Sequence, residues 1–159
     1  MRIRSLQSGL RRSSPMVVAL LLGGCRSEVG GRAQLGDLTV SHAVLSGPAT
    51  GPQASAFLIL ENRGSLPVTL LGVRSPAAES VQLHNVAGGR MQPVPQVEVP
   101  AHGHLRLTPG RYHLMLQGLM HPLAIGDTVP LELDFGSRTV LRVQASVLRY
   151  GDAVNAVAE

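Results

Sequence analysis

The chain has 159 residues, 44% hydrophobic, 3% aromatic and 15% charged, and Lys plus Arg outnumber Asp plus Glu by 14 to 10, for a formal net charge of +4. Four of the basic residues, Arg2, Arg4, Arg11 and Arg12, fall in residues 1–24, so residues 25–159 carry 10 Arg against 10 acids. This near-neutral remainder has no basic stripe with interleaved aromatics, which removes the charge argument for nucleic acid as a partner, and its length suits one domain with one core.

In chain order, the first feature is the positive stretch followed by the apolar run Met16–Leu22, which is too short to span a bilayer as a helix. We read residues 1–24 as a secretory leader. It ends in Leu22-Gly23-Gly24-Cys25, similar to the lipobox of bacterial lipoproteins, and Cys25 is the only cysteine. The expectation is cleavage before Cys25 and a lipid on its sulfur, giving an envelope or periplasmic protein anchored to a membrane. A lone exposed thiol in an oxidising compartment would otherwise be a liability. Arg11-Arg12-Ser13 lacks the apolar residues expected after a twin-arginine signal.

Residues 25–36 are small, polar and Gly-rich, as in a flexible tether. The folded domain is expected over residues 37–150, with strands at Leu38–Leu45, Ala54–Asn62, Val68–Arg74, Ser80–Val86, His104–Thr108, Arg111–Gln117, Thr128–Phe135 and Thr139–Leu148. Each run is closed by Gly, Pro or Asn, and none shows helical periodicity. The fold class is therefore all-β, an antiparallel Greek-key sandwich or barrel, with residues 151–159 as a C-terminal tail or short helix. Alternation turns Leu131, Leu133, Phe135, Leu141, Val143, Ala145 and Val147 inward.

The same alternation separates Tyr112, Leu114 and Leu116 from His113, Met115 and Gln117, and Val81 and Leu83 from Gln82 and His84. The second set in each strand points away from the core. His113 and Met115 then stand about 7 Å apart along one strand face. Imidazole and thioether together, without thiolate or carboxylate, select copper and in particular Cu(I) over zinc, calcium or iron. A blue-copper electron-transfer site needs a cysteine ligand, so the chemistry favours a carrier.

The runs Val81-Gln82-Leu83-His84, Met91-Gln92-Pro93-Val94, Pro109-Gly110-Arg111-Tyr112-His113-Leu114-Met115-Leu116, Gly118-Leu119 and Pro122-Leu123, with the upstream Ala56–Asn62, resemble the periplasmic copper chaperones of the PCu(A)C type. In that family's pattern a Met is followed after twenty-one residues by His, any residue and Met, which Met91, His113 and Met115 satisfy. The resemblance implies a cupredoxin-like fold and a Cu(I) site of His84, Met91, His113 and Met115. It also implies delivery toward cytochrome c oxidase, with Sco-type or other copper-receiving proteins as partners. The sequence departs from the family in placing six residues between His84 and Met91, where ten are usual, and in having Ser41-His42-Ala43-Val44 where the first strand usually carries an aromatic.

Other candidates have ordinary explanations. Met120 and His121 suit a loop, His102 and His104 a solvent-facing turn, His42 a hydrogen-bonded place at the core edge, and Glu132 and Asp134 a solvated face. No Ser-His-Asp arrangement, nucleotide loop or acid–base pair appears, so no enzyme is expected. Two further readings stay open: a structural or interaction lipoprotein with a degenerate metal site, and a copper-scavenging resistance protein.

Overall fold

Short aliphatic runs of period two fold in the computed structural model as twelve strands and one helix, over the described residues 29–47 and 51–158. The leader and Cys25 lie outside these residues. The strands are β1 (Gly31–Leu35), β2 (Leu38–Gly47), β3 (Gln53–Asn62), β4 (Val68–Leu70), β5 (Gly72–Arg74), β6 (Ala78–Ala87), β7 (Arg90–Pro93), β8 (Val97–Val99), β9 (Gly103–Leu107), β10 (His113–Leu119), β11 (Thr128–Asp134) and β12 (Val140–Arg149), followed by α1 (Tyr150–Ala156). No helix among the described residues is long and apolar enough to cross a membrane.

Pairing runs β2–β12–β11–β5–β6–β10–β3, and β3 returns to β2, so seven strands close a barrel. An odd ring cannot alternate direction throughout. The parallel pair it requires is β2–β12, with Ser146 opposite Val44, a departure from the wholly antiparallel expectation. Links such as β3–β10 and β5–β11 join strands distant in sequence, in the manner of Greek-key connections. β1, β9 and β7 extend the ring from β2, β3 and β6, while β4 and β8 form a separate pair.

The interior is built from Leu, Val and Ala. Leu131, Leu133, Leu141, Val143, Ala145 and Val147 are buried as alternation predicts, and Glu132 on the other face pairs with Arg142 at 2.8 Å. Each such Leu contributes about 2 kcal/mol when fully buried. The expected strand Val68–Arg74 divides at the exposed Leu71, because its halves join different sheets.

Two segments read as peripheral belong to the fold. Within the expected tether, Gly31–Leu35 forms β1, and a Cβ added at Gly31 would overlap the Gln144 carbonyl. The glycine there permits backbone-to-backbone approach to β12 and does not mark flexibility. Beyond residue 150, α1 buries Ala153 and Val157 against Val44 and Phe57, a second cluster on the outside of the barrel. A β-bulge between Ser41 and Val44, with His42 at φ 54°, breaks the alternation of β2. Ala43 and Leu45 therefore face the main core while Val44 meets α1. The His42 Nδ1 is buried with no hydrogen-bond partner among the described residues, contrary to the expected hydrogen-bonded imidazole.

Candidate metal centre

β6 and β10 run side by side with His84 directly opposite His113 and Gln82 opposite Met115. Directly opposed residues share a sheet face, as do residues two apart on one strand. His84, His113 and Met115 are therefore gathered on one surface by register alone.

Met91 reaches the same surface through a tight hairpin. β6 turns at Gly88 (φ 58°) and Gly89 (φ 73°) into β7, placing Met91 opposite Val86 and Pro93 opposite His84. Positive φ at both turn positions suits glycine and the right-handed twist of the flanking strands. Val86 shares a face with His84, so Met91 lies one diagonal step away, a backbone separation of about 7–8 Å that long side chains span. The short separation in sequence thus tightens the turn without moving Met91 to the other face.

The two imidazole rings have centroids 5.9 Å apart and planes tilted by 38°. With a metal–nitrogen bond of about 2.0 Å, two rings on one ion have centroids no more than about 6 Å apart. His113 Nδ1 lies 2.9 Å from the Arg111 carbonyl. A carbonyl only accepts, so Nδ1 carries a proton, and in the neutral ring Nε2 is the nitrogen whose lone pair can meet a metal. The turn before β10 fixes that carbonyl: Thr108 N–H donates to Tyr112 O at 2.6 Å, Arg111 N–H donates to Thr108 O at 3.2 Å, and Gly110 sits at φ 75°. His84 Nδ1 is buried with no partner among the described residues.

Burial differs from the sequence expectation. His84 and His113 are only 8% and 4% exposed, although alternation turns both away from the core. Alternation defines a face but not what covers it. Here each ring shields the other and β7 runs along the outer side of β6. Burial, and secondarily the charge His113 would carry, hold the His84 imidazole below its ordinary pKa of 6.5, favouring the neutral form that binds metals. Met115 is half-buried and Met91 is 52% exposed, so the centre opens to solvent on its thioether side.

Among the described residues, no three His, Cys, Asp or Glu side chains come together as a metal site. An ion here would be held by imidazole and thioether, a set suited to a soft cation. Met120 and His121, both exposed, follow the end of β10 remote from His113, and the exposed His102 and His104 belong to the turn and strand of β9, where His104 faces Glu61. The structure does not bring these four to the centre. Sequence reasoning missed the Arg111 carbonyl, although Pro109-Gly110 marks the turn that presents it. Gln82, which alternation places on the same face as His84, sits opposite Met115 and accepts a hydrogen bond from Gln117 Nε2 at 3.4 Å.

A family model described as "Putative lipoprotein LpqE-like" matches residues 38–147. The chain belongs to this family. A relative from Leifsonia xyli subsp. xyli (strain CTCB07), described as "Putative lipoprotein Lxx21020", is 32% identical over 149 residues, covering 86% of this chain and 89% of its own. Among solved structures, the copper-bound PCuAC domain from PmoF2 superposes with a TM-score of 0.65 at 22% identity, covering 74% of this chain and 97% of that one. At that identity the likeness speaks for the fold. The solution structure of CuI-DR1885 from Deinococcus radiodurans is 31% identical with a TM-score of 0.58, covering 68% of this chain and 76% of that one. This LpqE-like chain has the PCuAC-type, cupredoxin-like fold.

Proposed function

We propose that the protein is a lipid-anchored, extracytoplasmic carrier of Cu(I), which His84, His113 and Met115 hold and Met91 closes from the β6–β7 hairpin. The observation that carries this reading is the register that sets His84 opposite His113 with Met115 beside them on one face. The donor set supports it: two neutral imidazoles and two thioethers suit a soft monovalent ion, and no cysteine competes within the domain. Two of the solved structures the chain resembles, one copper-bound and one in a CuI form, point to the same metal.

Transfer would proceed by ligand exchange. Met91, the most exposed donor, leaves first, and an incoming ligand takes its place before the buried imidazoles release the ion. The anchor would be Cys25, in keeping with its lipobox and with the family's description as lipoproteins. By its likeness to PCu(A)C chaperones, the recipient would be a Sco-type or other copper-receiving protein serving cytochrome c oxidase assembly.

Competition titration against a Cu(I) chelator tests the site. His113→Ala with Met115→Ala should lose more than about 100-fold in affinity, beyond the roughly 10- to 100-fold that an outer-shell change costs, with an unchanged far-ultraviolet circular dichroism spectrum. Parent-like affinity in the double variant would refute the assignment. In cells, lost oxidase activity on deletion marks delivery, whereas copper sensitivity with normal oxidase marks scavenging.

A further inference from the structure

Past residue 24 the sequence holds no tryptophan, one cysteine at position 25 and three methionines, Met91, Met115 and Met120. Sulfur is the part of such a domain most open to two-electron oxidation, and two of the three thioethers are proposed copper ligands. The fold treats them unequally. Met115 lies half-buried on β10, between His113 and Gln117 on one sheet face. Met91 is 52% exposed on β7, a strand whose four residues are all exposed, two places after Gly89 in the hairpin turn. Met120 is 60% exposed and follows the end of β10 remote from His113.

We infer that Met91 is a reversible oxidation site, at which a hydroperoxide converts the thioether to the sulfoxide and so closes the centre to copper. This regulation rests on the copper reading above. In the step a sulfur lone pair attacks the terminal oxygen of the hydroperoxide, a sulfur–oxygen bond forms and the O–O bond breaks. The oxygen left behind takes up the hydroperoxide's proton and departs as water or an alcohol. Sulfur is oxidised by two electrons and the peroxide is reduced by two. The product presents a hard oxygen and a depleted sulfur where Cu(I) prefers a soft thioether. Position makes the change reversible. A sulfoxide is more polar than a thioether and disrupts packing where it is buried, but on an exposed hairpin strand it displaces nothing from the core. The barrel stays folded while the ligand is lost, and the same exposure leaves the side chain within reach of a reductase that restores the thioether. A bound Cu(I) engages the Met91 sulfur, so the empty centre is the sensitive one and the loaded centre is protected.

The test uses the full chain, with any free thiol at Cys25 alkylated, treated with tert-butyl hydroperoxide and mapped by peptide mass spectrometry. In the metal-free chain Met91 and Met120 should gain oxygen at similar rates and Met115 more slowly, with an unchanged far-ultraviolet circular dichroism spectrum. One equivalent of Ag(I), a soft monovalent ion that does not drive radical chemistry with peroxides as Cu(I) does, should slow oxidation of Met91 and leave that of Met120 unchanged. Titrated against a Cu(I) chelator, the oxidised parent should bind more than about tenfold more weakly than the untreated one, the least that loss of a supporting group costs. The two epimer-specific methionine sulfoxide reductases should together restore the affinity. Met91→Leu should bind weakly from the start and lose nothing further on oxidation, whereas Met120→Leu should behave as the parent does. Met91 oxidation as slow as that of Met115, or unaffected by Ag(I), overturns the inference. So does undiminished affinity in the oxidised parent, or further loss in oxidised Met91→Leu, which would place the sensitive sulfur at Met115. Failure of the copper reading itself is distinct, since the untreated parent would then take up no Cu(I).

Discussion

At the scale of single residues, His84 is tied to pH by its burial. Its folded pKa lies below 6.5, the ordinary value it regains on unfolding. Between the two values the unfolded chain binds more protons than the folded one, so stability from this residue is intact above about pH 7 and falls as pH drops through 6.5. The loss stops growing once pH is below the folded value. Urea midpoints of the metal-free protein should therefore decline from neutral to mildly acid pH, and His84→Asn, which removes the titrating group, should flatten that decline. An identical pH slope in the variant would disprove the link. Much at this scale was legible in the sequence. Period-two alternation put His84 on one face of its strand and His113 with Met115 on one face of theirs, because a strand's geometry allows no other outcome. Their burial was not legible, since it depends on which strand lies alongside and in what register, and no local pattern around His84 encodes its meeting with His113.

Among the elements, the β6–β7 hairpin decides whether Met91 joins the other donors. Arg90–Pro93 is a short segment ending in proline, too brief to show alternation, so it was not expected as a strand. The turn chemistry that makes it one was present as Gly88-Gly89. Both residues have positive φ and neither would clash through an added Cβ, so the cost of substitution there is backbone strain alone. Gly88→Ala with Gly89→Ala should destabilise the turn by about 1 kcal/mol per position and splay β7. Cu(I) affinity should fall several-fold with every proposed ligand retained. Gly88→Asn alone, which tolerates the left-handed conformation, should largely preserve affinity. Equal affinity in parent and double-Ala variant would show that Met91 does not take part. The opposite error occurred at β1, where glycines permitting close contact with β12 resembled a tether. Composition alone does not distinguish a glycine chosen for space from one chosen for freedom.

On the scale of the whole molecule, all-β character and a Leu, Val and Ala core follow from local pattern, but the order of the ring does not. Contacts such as β3–β10 and β2–β12 join segments far apart in the chain, and the parallel closure follows from the odd strand count, a global property. The proposed centre exploits this topology. His84 lies on β6, His113 and Met115 on β10 and Met91 on β7, so one ion would cross-link neighbouring strands within a closed barrel and stabilise all of it together. An ion bound only by the folded state adds RT ln(1 + [L]/Kd), about 4 kcal/mol at a free concentration of about 1,000 times Kd. For a domain of this size that raises the Tm by roughly 10–20 °C. Calorimetry under anaerobic, reducing conditions should show one cooperative transition that moves up by this amount with Cu(I) and returns when a chelator removes the metal. His84→Asn and Met115→Ala should each shrink the shift, since each removes one of the cross-links. A second transition that ignores the metal, or a shift equally large without His84, would mean that the ion is held outside the strand pair from which the site is built.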